Sequence, residues 1–297
     1  MSADGRGDRA VDAFVGHRNL LFTVAYEMLG SAADAEDVLQ ETWLRWADAD
    51  LATVRDQRAY LVRITTRLSL NRLRAVGRRR ESYVGSWLPE PLLTAPDVAD
   101  DVELAESVSM AMLLVLETLA PTERAVFVLR EVFDLAYDEI AEAVDKSSAA
   151  VRQIAHRARA HVAARRPRGM VSSADTRRAL DAFRRAVETG DVQGLLDVLA
   201  PDVVLLGDGG GIKQAVLRPV AGADKVARLL CSTHARTETM SLHLAQVNGH
   251  PALVLRLDGA VDTVLALRID DGLISGVYAV RNPEKLSHMR SETALRR

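Results

Sequence analysis

Two stretches of this 297-residue sequence carry side chains whose type and spacing suit them to grip a polyanion. Between Arg55 and Arg80 stand nine arginines against one aspartate. Placed on a helix, Arg63, Arg67, Arg74 and Arg78 fall within about one-sixth of a turn of each other. Arg72, Arg79 and Arg80 broaden the stripe. Such a face repels itself unless an anion lies along it, which points to phosphate rather than to a merely solvated surface. Asn71 in the same stripe offers paired donor and acceptor groups to a base edge, or is an exposed helix residue. The second stretch starts at Ser148. If Val151, Ile154, Ala155, Ala158 and Val162 face inward, then Ala149, Ala150, Arg152, Gln153, His156, Arg157 and Arg159 face outward. The N-terminal members of that set are placed for base edges, while Arg157, Arg159, Arg165 and Arg166 suit phosphate.

A third face has the opposite charge. On a helix through 31–46, Ala35, Val38, Leu39, Thr42 and Trp46 make one apolar stripe, and Asp34, Asp37 and Glu41 line another side. This is either an ordinary solvated face or a docking face for a basic partner. Other chemistries are poorly supplied. His156 and His161 diverge on a helix and do not make a metal pair. The lone Cys231 reads as a small apolar residue. No nucleophile–base motif, phosphate-binding loop or metal-ligand cluster stands out, so no catalytic residue, metal or cofactor is expected.

The elements that must position these faces can be read from periodicity and punctuation. Length allows two or three domains, and 48% hydrophobic with 27% charged residues is a globular balance. No apolar run approaches the ~18 residues of a membrane helix, and no signal-like segment opens the chain, so a cytoplasmic protein without membrane contact is expected. The net charge of −3 conceals alternation, with +8 over residues 51–80, −7 over 81–109 and +6 over 145–168. Residues 10–80 read as helices broken near Gly30 and Asp48–Asp56. Residues 81–106, with Pro89, Pro91 and Pro96 and seven acids without a base, read as a linker. Residues 107–166 return to helix. A helix opening at Pro121, a short one over Tyr137–Val144, a tight turn at Asp145 and a basic helix from Ser148 make a helix-turn-helix. After a boundary at 165–169, helices at 174–189, 192–199 and 223–232 precede alternating runs at 240–247, 252–257, 261–269 and 274–280. Asn248-Gly249, Asp258-Gly259 and Asp271-Gly272 separate these runs, so residues 174–290 read as an α+β domain with a meandering antiparallel sheet.

Asp34–Trp43, Arg58–Arg74 and Leu119–Arg124 with its helix-turn-helix together resemble extracytoplasmic-function sigma factors of bacterial RNA polymerase, over about residues 10–166. The resemblance implies two all-α domains, region 2 and region 4. It implies that Asp34, Asp37, Gln40, Glu41 and Trp43 dock on the β′ clamp of the polymerase core. The Arg63–Arg80 helix would then melt the minus-ten element of promoter DNA, and the helix from Ser148 would read the minus-thirty-five element while its domain rests on the β flap. Two departures stand out. Ala136 replaces the usual Ser or Thr helix cap, and Asp145 replaces the usual turn Gly but tolerates a left-handed backbone.

Tyr83–Pro91, Asp208-Gly-Gly-Gly211 and Asn282-Pro-Glu-Lys-Leu286 further resemble the sigma subgroup with a SnoaL-like extension, which implies a cone of curved sheet related to nuclear transport factor 2 and ketosteroid isomerases. Its usual Lys after the glycines is Ile212 here, with Lys213 one place later, and Glu284 replaces Asp. If the strand continued through 212 and 213, the charge would point to the opposite face. The expected interdomain contact joins Trp87, Leu88 and Pro89 to Asp208, Gly209, Gly210, Gly211, Asn282, Pro283, Glu284 and Lys285, making the extension an in-cis regulator in place of a separate anti-sigma protein. The alternative is a ligand sensor or an isomerase-like enzyme. For that, Asp208, His234, His243 and Tyr278 are candidates by residue type alone.

Overall fold

The computed structural model describes residues 4–80, 82–95, 98, 101–165, 173–234, 240–289 and 291–297. The side chains of Arg78, Arg79, Arg80 and His234 lie outside the described part, as do Pro96, Arg166 and the expected boundary at 166–169. Three helices come first: α1 (Asp4–Leu29), α2 (Ala32–Ala47) and α3 (Gln57–Arg80). Gly30, at φ +66, makes the turn between α1 and α2, and the Ser31 hydroxyl caps α2 by accepting from Asp34 N. Ala35, Val38, Leu39, Thr42 and Trp46 of α2 are all buried.

The second helical unit comprises α4 (Val102–Val108), α5 (Met110–Leu116), α6 (Pro121–Phe127), α7 (Tyr137–Val144) and α8 (Ser148–Ala163). It begins at Val102, earlier than the spacing predicts, because Asp101 caps α4 through Leu104 N. Helix α6 widens into a π turn over Val128–Val132, which no sequence signal announces. Ala136 offers no hydroxyl cap to the first turn of α7, but the Glu139 carboxylate reaches back to accept from Ala136 N at 2.9 Å, and Asp145 adopts φ 55, ψ 59 as expected. Val151, Ile154, Ala155, Ala158 and Val162 form the buried face of α8.

The two helical units are not separate bodies. One continuous apolar core runs from Ala10 to Val162 through both. Arg124 of α6 is buried in it, donating Nε to the Glu27 carbonyl of α1 at 2.9 Å and pairing with Glu117. Glu27 is itself fully buried and accepts from the Ser107 hydroxyl at 2.7 Å. Burial pushes the Glu27 carboxyl up to about 8 and the Arg124 guanidinium down to about 9.

The extension contains α9 (Ser173–Thr189), α10 (Val192–Val198), β1 (Leu199–Asp208), β2 (Val220–Ala221), α11 (Ala223–His234), β3 (Met240–Val247), β4 (His250–Leu257), β5 (Ala260–Asp270) and β6 (Leu273–Val280). Its sheet order is β2-β1-β6-β5-β4-β3. The expected antiparallel meander holds for β3 to β6, but β1 lies parallel to β6, so the sheet is mixed. Strand β1 is absent from the alternating runs read in sequence, where only a strand end near Asp208 is implied, because its residues follow directly on helix α10 and Pro201-Asp202 interrupts their apolar pattern. One sheet face packs with α9 and α11 around Leu180, Phe183, Leu205, Val226 and Leu253, giving the helix-covered cone. The other face packs Val247, Val264, Tyr278 and Val280 against Leu88 of the linker and Met110 of α5.

Candidate nucleic-acid interface and linker clasp

Residues 82–95 run between the helical core and the outer face of the sheet. From the helical side, Glu90 N donates to Gly30 O at 2.9 Å and the Tyr26 hydroxyl donates to Glu90 O at 2.6 Å. The Glu90 carboxylate accepts from the Ser31 hydroxyl (2.7 Å), Ala32 N (2.8 Å) and Ala33 N (3.2 Å). A linker carboxylate therefore sits on the N-terminus of the acidic helix α2, where unpaired N–H groups and the helix dipole favour negative charge. A Cβ on Gly30 would come within 2.8 Å of the Trp87 ring, so only glycine lets the linker lie this close.

From the extension side, Asp208 and Lys285 hold the same segment. Asp208, fully buried, accepts from the Tyr83 hydroxyl (2.6 Å) and Gly210 N (3.1 Å) on Oδ1, and from Leu88 N (2.8 Å) and Lys285 Nζ (2.7 Å) on Oδ2. Lys285 Nζ also donates to Leu88 O at 2.5 Å and lies 4.2 Å from the Trp87 ring and 4.9 Å from the Tyr83 ring. Asn282 Nδ2 donates to the Tyr83 hydroxyl at 3.0 Å. Burial, with the Asp208 carboxylate next to it, raises the Tyr83 hydroxyl well above its ordinary range, so it stays a donor. The structure thus joins Trp87, Leu88, Asp208, Asn282 and Lys285, with Pro89 buried beside them. Gly210 cannot carry a Cβ, which would meet Asn282 Nδ2 at 2.3 Å. Pro283 and Glu284 are exposed; Glu284 contributes its N–H to Asn282 Oδ1, and its charge acts on the Tyr83 hydroxyl of the linker. Strand β1 ends at Asp208, so residues 209–213 form a turn and the expected alternation through 212 and 213 does not apply. Ile212 is exposed, and Lys213 pairs with Asp262 at 2.6 Å.

Three participants were not assigned this role in sequence: Tyr26, Glu90 within the Tyr83–Pro91 motif, and Asn248, read only as a turn residue. Asn248, at φ 54 in the β3–β4 turn, is buried; its Oδ1 accepts from Leu92 N, and its Nδ2 donates to the Tyr26 hydroxyl and Val108 O. The chain's end returns as well. Thr293 N donates to Leu93 O at 2.7 Å, and Leu295 is buried in the helical core.

The candidate DNA faces meet each other. Arg63 pairs with the Glu142 carboxylate of α7 at 3.1 Å, and Arg67 donates to Glu142 O at 2.8 Å. Both line one open cleft with Asp145, Lys146, Ser147 and Ser148, at the start of α8. Ser148 hydrogen-bonds to Asp138. Asn71 and Arg74 are exposed beside them. Arg72 turns away from this stripe to Asp34 (2.5 Å) and Asp37 (2.8 Å), tying two residues of the acidic face to α3. Gln40 and Glu41 are exposed, Glu41 pairing with Arg45, while Trp43 packs on Phe14. On α8, Ala149, Arg152, Gln153, His156 and Arg157 are exposed, and Arg159 is held by Glu131 and the Tyr137 hydroxyl.

The enzyme candidates do not converge. Asp208 is occupied by the linker, Tyr278 is buried on the same outer face, and His243 is exposed on β3, so none of these three lines the cavity inside the cone. No group of acids, His and Cys able to hold a metal ion occurs among the described residues, and no described helix is long and apolar enough to cross a membrane.

Residues 14–79 match the sigma-70 region 2 family and residues 109–162 match sigma-70 region 4. The chain is 34% identical over 292 residues to the ECF RNA polymerase sigma factor SigJ of Mycobacterium tuberculosis H37Rv, covering 93% of each sequence. It is also 34% identical over 283 residues to the probable ECF sigma factor SigI of Mycobacterium tuberculosis, covering 94% of this chain and 96% of that one. The crystal structure of SigJ matches with a TM-score of 0.76 at 33% identity, over 94% of this chain and 98% of that chain.

Proposed function

The chain belongs to the extracytoplasmic-function RNA polymerase sigma factors, and from that premise we propose that its SnoaL-like extension regulates initiation in cis by holding the interdomain linker. As an alternative sigma factor it works with the polymerase core and promoter DNA. Asp34, Asp37, Gln40, Glu41 and Trp43 are the surface for the β′ clamp, and the unit carrying α6 to α8 is the one for the β flap. Arg63, Arg67, Asn71 and Arg74 engage the minus-ten element, and Ser148, Ala149, Arg152, Gln153 and His156 the minus-thirty-five element, with Arg157 and Arg159 on phosphate.

The observation that carries the regulatory reading is the buried Asp208–Lys285 pair closed around the backbone of Leu88. While the linker is held there, the two helical units share one core and Arg63 and Arg67 face Glu142 rather than DNA. Core binding and promoter engagement therefore compete with the clasp. The extension does what a separate anti-sigma protein would do, and its acid and base groups serve contact rather than catalysis. Asp208→Asn, which weakens the clasp while keeping its shape, will raise promoter-DNA binding by the free full-length chain several-fold and change transcription at limiting core. Unchanged binding and transcription, with faster hydrogen exchange across 83–92 proving the linker released, would refute the regulatory role.

A further inference from the structure

The cone contains a cavity of about 360 Å³ whose walls include Leu205, Val216, Leu230, Leu255, Leu257 and Leu265. This lies within the ~300–1,000 Å³ range of small-ligand sites. Asp262 and Arg281 line it at one side. The Asp262 carboxylate, nearly fully buried, accepts from Lys213 Nζ (2.6 Å) and the Thr263 hydroxyl (2.7 Å), and from Arg281 Nη2 (2.9 Å) and Nε (3.3 Å). Burial would raise its pKa, but the Lys213 and Thr263 hydrogen bonds and the Arg281 charge hold it below the ordinary value. Two cations on one carboxylate leave a surplus positive charge beside an apolar chamber. Arg281 spends one further N–H on Gln214 O at 2.6 Å, and the guanidinium fork has donors to spare.

The same segment reaches the clasp. Arg281 N and Asn282 N both donate to Asp208 O, at 2.7 and 2.9 Å. Arg281 then lines the cavity while Asn282 binds Tyr83. On the other side, Lys213 N and Ile212 N donate to Gly209 O, and a Cβ on Gly209 would stand 2.0 Å from Lys213 O, so this turn has no slack. We propose that the cavity binds a small amphipathic monocarboxylate, its carboxylate paired with Arg281 and its apolar body in the leucine-walled chamber, and that binding loosens the clasp. A neutral polar ligand leaves the surplus charge unpaired, and a cationic one must displace both cations. The coupling half of this inference rests on the in-cis reading; the site itself does not.

Decanoate, with a body of about ten carbons, serves as the probe, titrated calorimetrically into the full-length chain. Saturable binding is expected, with decan-1-ol weaker by about ten-fold or more, since a charge-assisted hydrogen bond is lost. Arg281→Met will erase that preference, and Ala279→Leu, which fills the chamber from β6, will abolish binding. Leu257→Phe makes the same test if that variant does not fold. Equal affinity for acid and alcohol, binding that survives the filled chamber, or no binding overturns the site. Hydrogen exchange across 83–92 is expected to quicken with decanoate bound; unchanged exchange overturns the coupling. If exchange quickens but promoter binding does not change, the in-cis reading fails and the site stands.

Discussion

The linker clasp and the arginine–Glu142 contact both hold the chain closed, yet they stand in different surroundings. At the clasp, the Lys285 and Asp208 side chains are 8% and 0% exposed; at the other contact, Arg63 and Glu142 are 34% and 69% exposed. In water-shielded surroundings an ion pair is costly to break from one side, because the remaining charge has no solvent. An exposed pair is worth only ~0–1 kcal/mol and is screened by salt. The difference teaches how such a molecule closes reversibly. The firm hold is placed on the linker, and the arginines proposed to meet DNA are covered by an exposed contact that an anion can readily replace.

The largest expected effect tests the firm side. Lys285→Met removes the cation from buried Asp208 and should destabilise the packing of extension on linker by about 3–5 kcal/mol, read by urea unfolding and by hydrogen exchange across 83–92. A loss under ~1 kcal/mol would make the two contacts alike and break the comparison. Next is Asn248→Ala, which leaves Leu92 N and Val108 O without their buried partner and places alanine at positive φ. It should cost about 2–3 kcal/mol, with Asn248→Asp recovering only the half that Oδ1 supplies.

A third test concerns the core shared by the helical units. Because burial raises Glu27 to about 8 from an ordinary value near 4.5, the folded chain binds a proton that the unfolded chain has released. Stability therefore falls as pH rises through that window and levels off above pH 8. Glu27→Gln should flatten this slope, so that the variant loses less stability than the parent chain between pH 5 and pH 9, as measured by denaturation at each pH. An identical slope in the variant would place the proton elsewhere. The smallest stability change belongs to the exposed side. Glu142→Ala should move stability by under ~1 kcal/mol, yet increase promoter binding by the free chain most at low salt. A large stability loss would show that this contact is not the weak one.

The charged faces were readable in sequence because helix periodicity alone decides which side chains share a side. The arginine stripe, the acidic face of α2 and the outward set of α8 depend only on spacing within one element. Asp145 was likewise readable, since its left-handed turn is a local backbone matter. Glu90 was not. In sequence it is one acid among seven in a proline-containing linker, and only the folded chain brings it to the N–H groups of Ala32 and Ala33, 58 and 57 positions away. Arg72 looked like part of the DNA stripe, and its attachment to Asp34 and Asp37 follows from how α2 packs on α3.

By itself, the sequence determined the helices, the helix-turn-helix, the hairpins of β3 to β6 and the family, because these rest on local periodicity, turn chemistry and motif order. Tertiary structure decided the parallel placement of β1 on β6, the common core of the two helical units and the closing of their candidate DNA faces on each other. It also set two charged centres apart, Asp208 on the linker and Asp262 at the cavity. Those outcomes depend on which distant surfaces meet and exclude water, and burial, rather than residue type, set the strength of each charge there.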